Sequence, residues 1–247
     1  MDDRTTRSLL PLTTSAEEGE RATRVALLPV GSLEQHGPHL PLVTDTVIAC
    51  TVAAALADAH PVRVLPPLTL SCSHEHAAWP GTVSISARTL HAVVTDVADS
   101  LRRSGTPRLV LVNGHGGNHV LANVVQESGG AMALFPQAHE WEAARSAAGM
   151  ATDNDTDMHA GELETSVLLH AHPEMVGPEA AGADHVAGPR DHMPTLGLAP
   201  YTPTGVVGRP SLATADKGGR LLAALVAAFT GHLAALQRPH EQYQGPR

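Results

Sequence analysis

Short, continuous apolar runs are the feature of this sequence that most restricts its fold. Residues 24–30 end in VALLPV, and residues 108–112 contain LVLV. Neither run alternates apolar with polar positions, which is typical of strands covered on both faces of a parallel sheet. The same reasoning predicts four strands, at residues 24–30, 62–65, 108–112 and 131–135.

Segments of helical composition lie between and after these strands. Ser15 and Glu18 have the spacing of a capping box, which predicts a short helix to about Arg21. Thr44 or Asp45 is expected to cap the next helix and Ser86 a third. The longer predicted helices span residues 45–59, 87–103, 118–127, 161–170 and 213–235. This alternation predicts the α/β class, with a mainly parallel sheet and helices on both faces.

One domain is predicted over residues 1–247, with a core at about 23–236 and short polar tails, because no linker or internal repeat is visible. Residues 176–210 are rich in Gly and Pro and have no clear period. A segment of that length without regular structure is expected to line a site or to serve oligomerisation.

Charge and histidine content indicate what the chain binds. It has 16 histidines, as many as its lysines and arginines together, and a formal net charge of −9. An acidic chain repels polyanions, so neither nucleic acid nor an acidic membrane surface is an expected partner. Histidines and carboxylates suit metal ions better.

Several mechanisms lack their markers. Lys217 is the single lysine and is not part of a phosphate-binding Gly-Lys-Ser/Thr loop, and there is no Gly-x-Ser-x-Gly elbow. The two cysteines cannot form a disulfide framework. No uninterrupted apolar run has the length of a membrane helix, and the acidic amino terminus does not look like a secretory signal. A soluble, cytoplasmic protein is expected.

The most informative segment, residues 31–45, has the sequence GSLEQHGPHLPLVTD and directly follows the first predicted strand. It places Glu34, His36 and Asp45 within twelve positions. Ligands bind at the carboxyl ends of strands in open α/β sheets, where this segment is expected. Carboxylate and imidazole together suit zinc, manganese or iron(II). A capped loop with solvated charges is the alternative for this segment taken alone.

Two further segments carry histidines at predicted strand ends or helix starts. Residues 113–118, NGHGGN, form a glycine-rich turn that would bring His115 to the same edge as Glu34, although a simple strand-to-helix turn is also possible. Residues 157–166, DMHAGELETS, open an apolar helix. Helix capping explains acids such as Glu162 or Glu164 there but not His159, so His159 is predicted to be functional.

A fourth segment, SHEH at residues 73–76, lies in a long predicted loop before Trp79. The alternate spacing of His74 and His76 would let them share a face and bind metal. We interpret the segment instead as part of a substrate pocket, because the other segments already supply enough ligands for two ions.

In order, GSLEQHGPHLPL with Asp45, then NGHGGN, then HAGELETS resemble the creatininase (creatinine amidohydrolase) family over roughly residues 23–236. The run from residue 159 to 170 and GVVG at 205–208 are similar to the mycofactocin precursor peptidase branch of that family. The resemblance implies a three-layer α/β/α sandwich, a two-metal centre that hydrolyses an amide C–N bond, and a homo-oligomer, most often a hexamer.

The resemblance also implies five ligands for two divalent ions, Zn²⁺, Mn²⁺ or Fe²⁺: Glu34, His36, Asp45, His115 and Glu164. Glu34, Asp45 and His115 would hold one ion, and His36 with the bridging Asp45 the other. Creatininase has a glutamate two residues after the histidine that matches His115, where this sequence has Gly117. Glu164 is the expected replacement.

The same resemblance suggests the remaining roles. His159 would donate a proton to the leaving nitrogen, and Glu162 would orient His159 or shuttle the proton, with a plain helix-cap role as the alternative. Ser73, His76 and Gly116 would contact substrate, although creatininase has a tyrosine where this chain has Gly116.

Three functions remain open from the sequence. The main expectation is a metal-dependent amidohydrolase acting on a small or cyclic amide. The second is a peptidase that trims a short modified precursor peptide, as in the mycofactocin branch. The third, from another class, is a non-catalytic metal-binding protein.

Overall fold

A parallel sheet of four strands lies at the centre of the structure, a computed structural model that describes residues 10–238. The strands are β1 (Val25–Val30), β2 (Arg63–Val64), β3 (Arg108–Asn113) and β4 (Met132–Phe135), in the order β2-β1-β3-β4. Val30 pairs with Asn113, so the carboxyl ends of the two central strands lie side by side. All four predicted strands are present. β2 is shorter than expected, because Pro66 and Pro67 follow it and lack N–H donors.

The apolar run of β1 packs against helices on both faces of the sheet. Val25 and Leu27 belong to one buried cluster, and Ala26 and Leu28 belong to the other. The first cluster is covered by α2 (Thr44–Ala59), α5 (Ala138–Ala148), α6 (Glu162–Ala171) and α8 (Ala215–Gln237), the second by α3 (Ala87–Arg103) and α4 (Val120–Glu127). The predicted three-layer α/β/α architecture is confirmed.

Two of the predicted helix caps differ from the structure. The capping box of α1 (Ser15–Arg21) is formed by Thr14 and Glu17, each one residue before the predicted Ser15 and Glu18. Thr14 and Glu17 are also three residues apart, and they exchange both hydrogen bonds of the box. Ser86 caps α3 as predicted, accepting a hydrogen bond from the Thr89 amide at 3.2 Å.

At the start of α2, neither Thr44 nor Asp45 is the cap. Val43 occupies that position without a side-chain hydrogen bond, and Thr44 and Asp45 lie in the first turn. The Thr44 hydroxyl donates instead to the Pro41 carbonyl at 2.7 Å. The Asp45 carboxylate is therefore available for other partners.

Sequence analysis missed α5. Its start carries a capping box in which the Gln137 amide donates to the Glu140 carboxylate at 2.7 Å. The remaining helices begin within two residues of their predicted positions, and α8 starts after Thr214, whose hydroxyl accepts from the Lys217 amide.

The Gly- and Pro-rich segment at 176–210 contains several 3₁₀ turns and the short helix α7 (Met193–Leu196). It packs on loops at the carboxyl edge of the sheet. Val207 and His159 exchange two backbone hydrogen bonds of 2.9 Å, and the Leu198 amide donates to the Glu75 carbonyl at 2.8 Å. These contacts agree with the expectation that the segment lines a site.

Among the described residues, α8 alone is long and apolar enough to cross a membrane by length and composition. Gly231 and His232 interrupt its apolar sequence. Leu221, Leu225 and Phe229 of α8 are buried against α5 and α6. One face of α8 therefore packs into the core of the sandwich.

Candidate metal centre

Two glycines bring the loops after β1 and β3 onto the start of α2. A Cβ atom on Gly31 would lie 2.3 Å from the Thr46 backbone, and one on Gly114 would lie 2.3 Å from the Asp45 carbonyl oxygen. Only a residue without a side chain allows such close approach. The first turn of α2 is thereby held between the two strand ends.

Asp45 lies at the middle of the resulting cluster and bridges two histidines. Its Oδ1 is 3.0 Å from His36 Nε2, and its Oδ2 is 2.8 Å from His115 Nδ1. The Ser32 hydroxyl donates to Oδ2 at 2.7 Å. Burial would raise the pKa of Asp45, but the charges of His36 and His115 hold it well below its ordinary value.

Glu34 is fully buried, and no hydrogen bond of good geometry reaches either carboxylate oxygen from the described residues, although the Ser73 hydroxyl is close enough to lower the Glu34 pKa slightly. Nε2 of His76 and Nε2 of His115 each lie 3.2 Å from one of its oxygens. Burial, followed by the nearby charge of Asp45, raises the pKa of Glu34 to about 8. A buried carboxylate without donors is costly, and a cation is the partner that offsets this cost.

The outer hydrogen bonds of His36 and His115 leave one ring nitrogen of each free for a ligand. His36 Nδ1 donates to the Glu34 carbonyl at 3.1 Å, and His115 Nε2 donates to the Cys72 carbonyl at 2.7 Å. A carbonyl only accepts, so His36 Nε2 and His115 Nδ1 face Asp45 as the free nitrogens. Metal-binding histidines commonly have this arrangement.

In the absence of a metal ion, both histidines are held protonated by the neighbouring carboxylates. Burial would lower the pKa of each, but Asp45 raises that of His36 to about 9. Glu34 and Asp45 together raise the pKa of His115 to about 10 against the same effect of burial. The two imidazolium charges stand in for cations between the acidic side chains.

Glu164 reaches the cluster from the first turn of α6. Its Oε2 accepts a hydrogen bond from the Ala160 amide at 2.6 Å and lies 4.0 Å from His36 Nε2. Burial raises the pKa of Glu164 to about 7. Ala160 itself adopts a left-handed φ of 52°, and this turn carries the chain from His159 into α6.

In three groups of side chains, the atoms that could bind a metal lie within 4.8 Å of one another: Glu34, Asp45 and His115; His36, Asp45 and Glu164; and Glu34, His36 and His159. The first two correspond to the two ligand sets implied by the sequence, with Asp45 shared. Carboxylate oxygens and imidazole nitrogens suit a divalent transition metal. The Glu34 carboxylate oxygens, which lack hydrogen-bond partners among the described residues, also favour a metal ion at this site.

His159 lies beside the predicted ligands with its ring between two other histidine rings. Its ring centroid is 4.3 Å from those of His36 and His76. His159 Nε2 donates to the Gln35 carbonyl at 2.6 Å, so Nδ1 is the free nitrogen, 3.7 Å from a Glu34 oxygen. Burial and the neighbouring histidine charges hold the pKa of His159 well below its ordinary value.

The predicted substrate residues surround this cluster. The Gln35 amide nitrogen is 2.9 Å from His76 Nδ1 and donates there, which leaves the proton of His76 on Nε2, beside Glu34. Burial lowers the pKa of His76 to about 3. Ser73 has a buried hydroxyl without a hydrogen-bond partner, and a Cβ on the exposed Gly116 would meet open space.

The prediction that Glu162 orients His159 is wrong. Glu162 is fully buried, but its carboxylate accepts hydrogen bonds from Lys217 Nζ, the Thr152 amide and the Thr152 hydroxyl. Nearby, the Arg145 guanidinium pairs with Asp157 at 3.0 Å. We call Arg145, Asp157, Glu162 and Lys217 the anchor cluster. Asp157 accepts from the backbone amides of residues 162 and 163, which fixes the start of α6.

Sequence reasoning assigned no role to Gln35, which fixes the proton of His76, or to the pairing of Arg145 with Asp157. Gln35 stands between two predicted ligands, and that position was the available signal. Arg145 gave none, because its partner lies twelve residues away in a loop.

The sheet edge therefore carries a buried carboxylate and histidine cluster suited to two divalent ions, on a three-layer α/β/α fold. A ligand cluster at the carboxyl edge of an α/β sheet is typical of an enzyme that binds its substrate and a metal there. A family profile described as "Creatininase: Creatinine amidohydrolase" matches residues 12–233. The chain belongs to the creatininase family, and it is a metal-dependent amidohydrolase.

Individual relatives agree with this placement. The chain is 39% identical over 215 residues to a mycofactocin precursor peptide peptidase of Mycobacterium ulcerans, covering 81% of this chain and 80% of that protein. It is 36% identical to a creatinine amidohydrolase of Pseudomonas putida, but over 96 residues, or 37% of each chain.

Solved creatininase structures have the same fold. A creatinine amidohydrolase (creatininase) aligns with a TM-score of 0.78 and 25% identity, over 95% of this chain and 100% of that one. A creatininase variant described as Zn–Zn type aligns with a TM-score of 0.76 and 25% identity, over 95% and 100% of the two chains.

Proposed function

We propose that this protein is a peptidase that hydrolyses an amide C–N bond of a short peptide at a centre of two divalent ions. The observation that carries the two-ion centre is the buried, donor-free Glu34 carboxylate beside two histidines whose free nitrogens face the shared Asp45. The same residue types in an exposed cluster would be satisfied by water. Here the side chains are buried, so their charge has to be balanced within the site, by protonated His36 and His115 in metal-free protein and by bound cations in the loaded enzyme.

The proposed ligands divide into two sets. Glu34, Asp45 and His115 hold one ion, and His36, Asp45 and Glu164 hold the other. Bound there, Zn²⁺, Mn²⁺ or Fe²⁺ supplies an activated water and polarises the substrate carbonyl. The chain itself holds these ligands in place through three hydrogen bonds. The Ser32 hydroxyl donates to Asp45, the His36 ring donates to the Glu34 carbonyl, and the His115 ring donates to the Cys72 carbonyl.

His159 is the proposed proton carrier. Its Nε2 proton is held on the Gln35 carbonyl, so Nδ1 accepts a proton from the reacting water and passes it to the leaving nitrogen. The sequence interpretation gave His159 only the donating step, whereas a neutral imidazole has to accept the proton first. His159 also forms a possible metal-binding group with Glu34 and His36, so the alternative role for His159 is that of a metal ligand.

Peptide substrates are favoured over small cyclic amides by the extent of the similarities. The relationship to the mycofactocin precursor peptide peptidase covers 81% of this chain, and that to the creatinine amidohydrolase covers 37%. The open space at Gly116 agrees, since a side chain there would restrict a longer substrate. His76 and Ser73, both buried next to Glu34, remain the proposed substrate contacts. A small or cyclic amide is the second candidate, and the family placement argues against a non-catalytic metal-binding protein.

We extend the proposal to the setting of the enzyme. We propose one domain over residues 1–247, a homo-oligomer, most simply a hexamer, and a cytoplasmic location without nucleic acid or membrane partners. The net charge of −9 supports the exclusion of polyanions.

Metal analysis and substrate competition test the proposal. Protein loaded with Zn²⁺ or Mn²⁺ is expected to retain two ions per chain after gel filtration and to cleave short peptides faster than lactams of matched size. Retention of less than about one ion per chain would contradict the two-ion centre. Cleavage of lactams alone would favour the second candidate.

A further inference from the structure

A carboxylate outside the proposed ligand sets lies beside His115. Glu75 Oε1 is 3.7 Å from His115 Nε2, on the ring nitrogen that donates to the Cys72 carbonyl. The Glu75 side chain is 21% exposed, so it stands at the rim of the buried cluster. At this separation its carboxylate acts on the imidazole through charge and not through a hydrogen bond.

Gly117 makes this approach possible. A Cβ atom on residue 117 would lie 2.2 Å from Glu75 Oε1 and 2.5 Å from His115 Nε2. Both distances are far below a van der Waals contact, so any side chain at 117 would displace Glu75 from His115. In this sequence the Glu75 carboxylate occupies the space that a Cβ atom at residue 117 would take.

The backbone of Glu75 is also held in place. Its carbonyl accepts a hydrogen bond from the Leu198 amide at 2.8 Å. Gly197, with a left-handed φ of 72°, packs on the same carbonyl, and a Cβ atom there would lie 3.1 Å from it. The segment after α7 therefore fixes Glu75 relative to the loop that carries His115.

We propose that Glu75 is a positioning residue of the metal centre, whose carboxylate acts on His115 from the Nε2 side in the space left open by Gly117. The inference rests on the proposed function, because it takes His115 to be a metal ligand. A carboxylate near a ligating imidazole raises the basicity of the ring through charge alone, and because Glu75 is partly exposed and makes no hydrogen bond to His115, its removal is expected to cost less metal affinity than removal of a hydrogen-bonded outer partner.

Calorimetric titration of metal-free protein with Zn²⁺ and with Mn²⁺ tests this role. Glu75→Gln keeps the shape of the side chain and removes its charge, so one of the two binding steps is expected to weaken about 2–5-fold while the other stays unchanged. Glu127→Gln is the matched control, because Glu127 is 65% exposed, pairs with His91 on the opposite helix layer, and is outside the site. Its two binding steps are expected to equal those of the wild type.

A conservative variant provides the second arm. Glu75→Asp keeps the negative charge at residue 75, and it is expected to retain more of the affinity of the weakened step than Glu75→Ala does. Equal affinities in the wild type and Glu75→Gln would overturn the inference, as would Glu75→Asp protein that binds as weakly as Glu75→Ala. Wild-type protein that fails to bind two ions would overturn the proposed function as well, so the two failures are distinguishable.

Discussion

Two clusters of buried ionisable groups both draw side chains from the segment between Asp157 and Glu164, and they differ in how their charges are satisfied. In the anchor cluster, Glu162 and Asp157 accept hydrogen bonds from backbone amides and from the side chains of Lys217 and Arg145. In the metal centre, Glu34 accepts none from the described residues. Both carboxylates, Glu34 and Glu162, are fully buried.

The difference separates structural from functional burial of charge. A buried acid with complete partners ties elements together, whereas one without partners lowers stability unless a ligand arrives. Proteins retain such a cost where function requires it. The metal centre and the anchor cluster should therefore respond in opposite ways to loss of a carboxylate.

The largest effect is expected at the shared ligand. Asp45→Asn removes the charge that faces both His36 and His115, so binding of both ions and hydrolysis should fall to background. Metal content after gel filtration and turnover of a cleaved peptide measure it. If Asp45→Asn protein retains both ions, Asp45 is not the ligand that bridges them.

Removal of the proposed proton carrier is expected to act on rate alone. His159→Gln should lower kcat by about 10²–10⁴-fold while both ions remain bound, because neither proposed ligand set uses its ring. Metal analysis next to steady-state kinetics separates the two effects. Loss of an ion together with activity would make His159 a ligand, as the third donor group allows.

Much of this comparison was predictable from the sequence, because apolar strands and the acids or histidines that directly follow them leave a readable pattern. Glu34, His36 and His115 come from the loops that follow such strands, and Asp45 from the start of the helix after the first loop. The sequence-based role of Glu162 was wrong, whereas Glu164 lies with His36 and Asp45, as the sequence had led us to expect. Two residues apart on a helix, these side chains point about 200° apart around its axis, yet both acids fit a first turn equally well.

The helix α5 was missed for a related reason. Its sequence is mostly alanine and polar residues, which buries only a narrow face, and the contacts that stabilise it come from α8. The partner of Glu162 is Lys217, 55 residues away in sequence. Local pattern cannot supply a pairing between elements so distant in the chain.

The pH dependence of stability should distinguish the two clusters. In metal-free protein the pKa values of His36 and His115 are raised to about 9 and about 10, so their stabilisation is complete below about 6.5 and lost as pH rises through those values. Glu34, with a pKa raised to about 8, has the same sign. Metal-free protein should therefore lose stability from pH 7 to pH 10.

The anchor cluster contributes with the opposite sign. Burial would raise the pKa of Glu162, but Lys217 and Thr152 hold it below its ordinary value. Its stabilisation is present above the unfolded pKa and is lost only as pH falls. Urea unfolding of metal-free wild type and Asp45→Asn at pH 7 and pH 10 measures the difference. If Asp45→Asn protein loses as much stability as the wild type between pH 7 and pH 10, the loss does not come from the metal centre.

The smallest effect, and the most direct comparison, is the stability of single variants in metal-free protein at neutral pH. Lys217→Met leaves the buried Glu162 carboxylate without its cation and should lower the free energy of unfolding by about 3 kcal/mol. Glu34→Gln replaces a side chain whose pKa of about 8 leaves it mostly uncharged at neutral pH, so stability should change little although activity is lost. Urea unfolding of both variants beside the wild type measures the pair. A loss of stability in Glu34→Gln equal to that in Lys217→Met would mean that the metal centre holds the fold together without metal, and the distinction between the two clusters would fail.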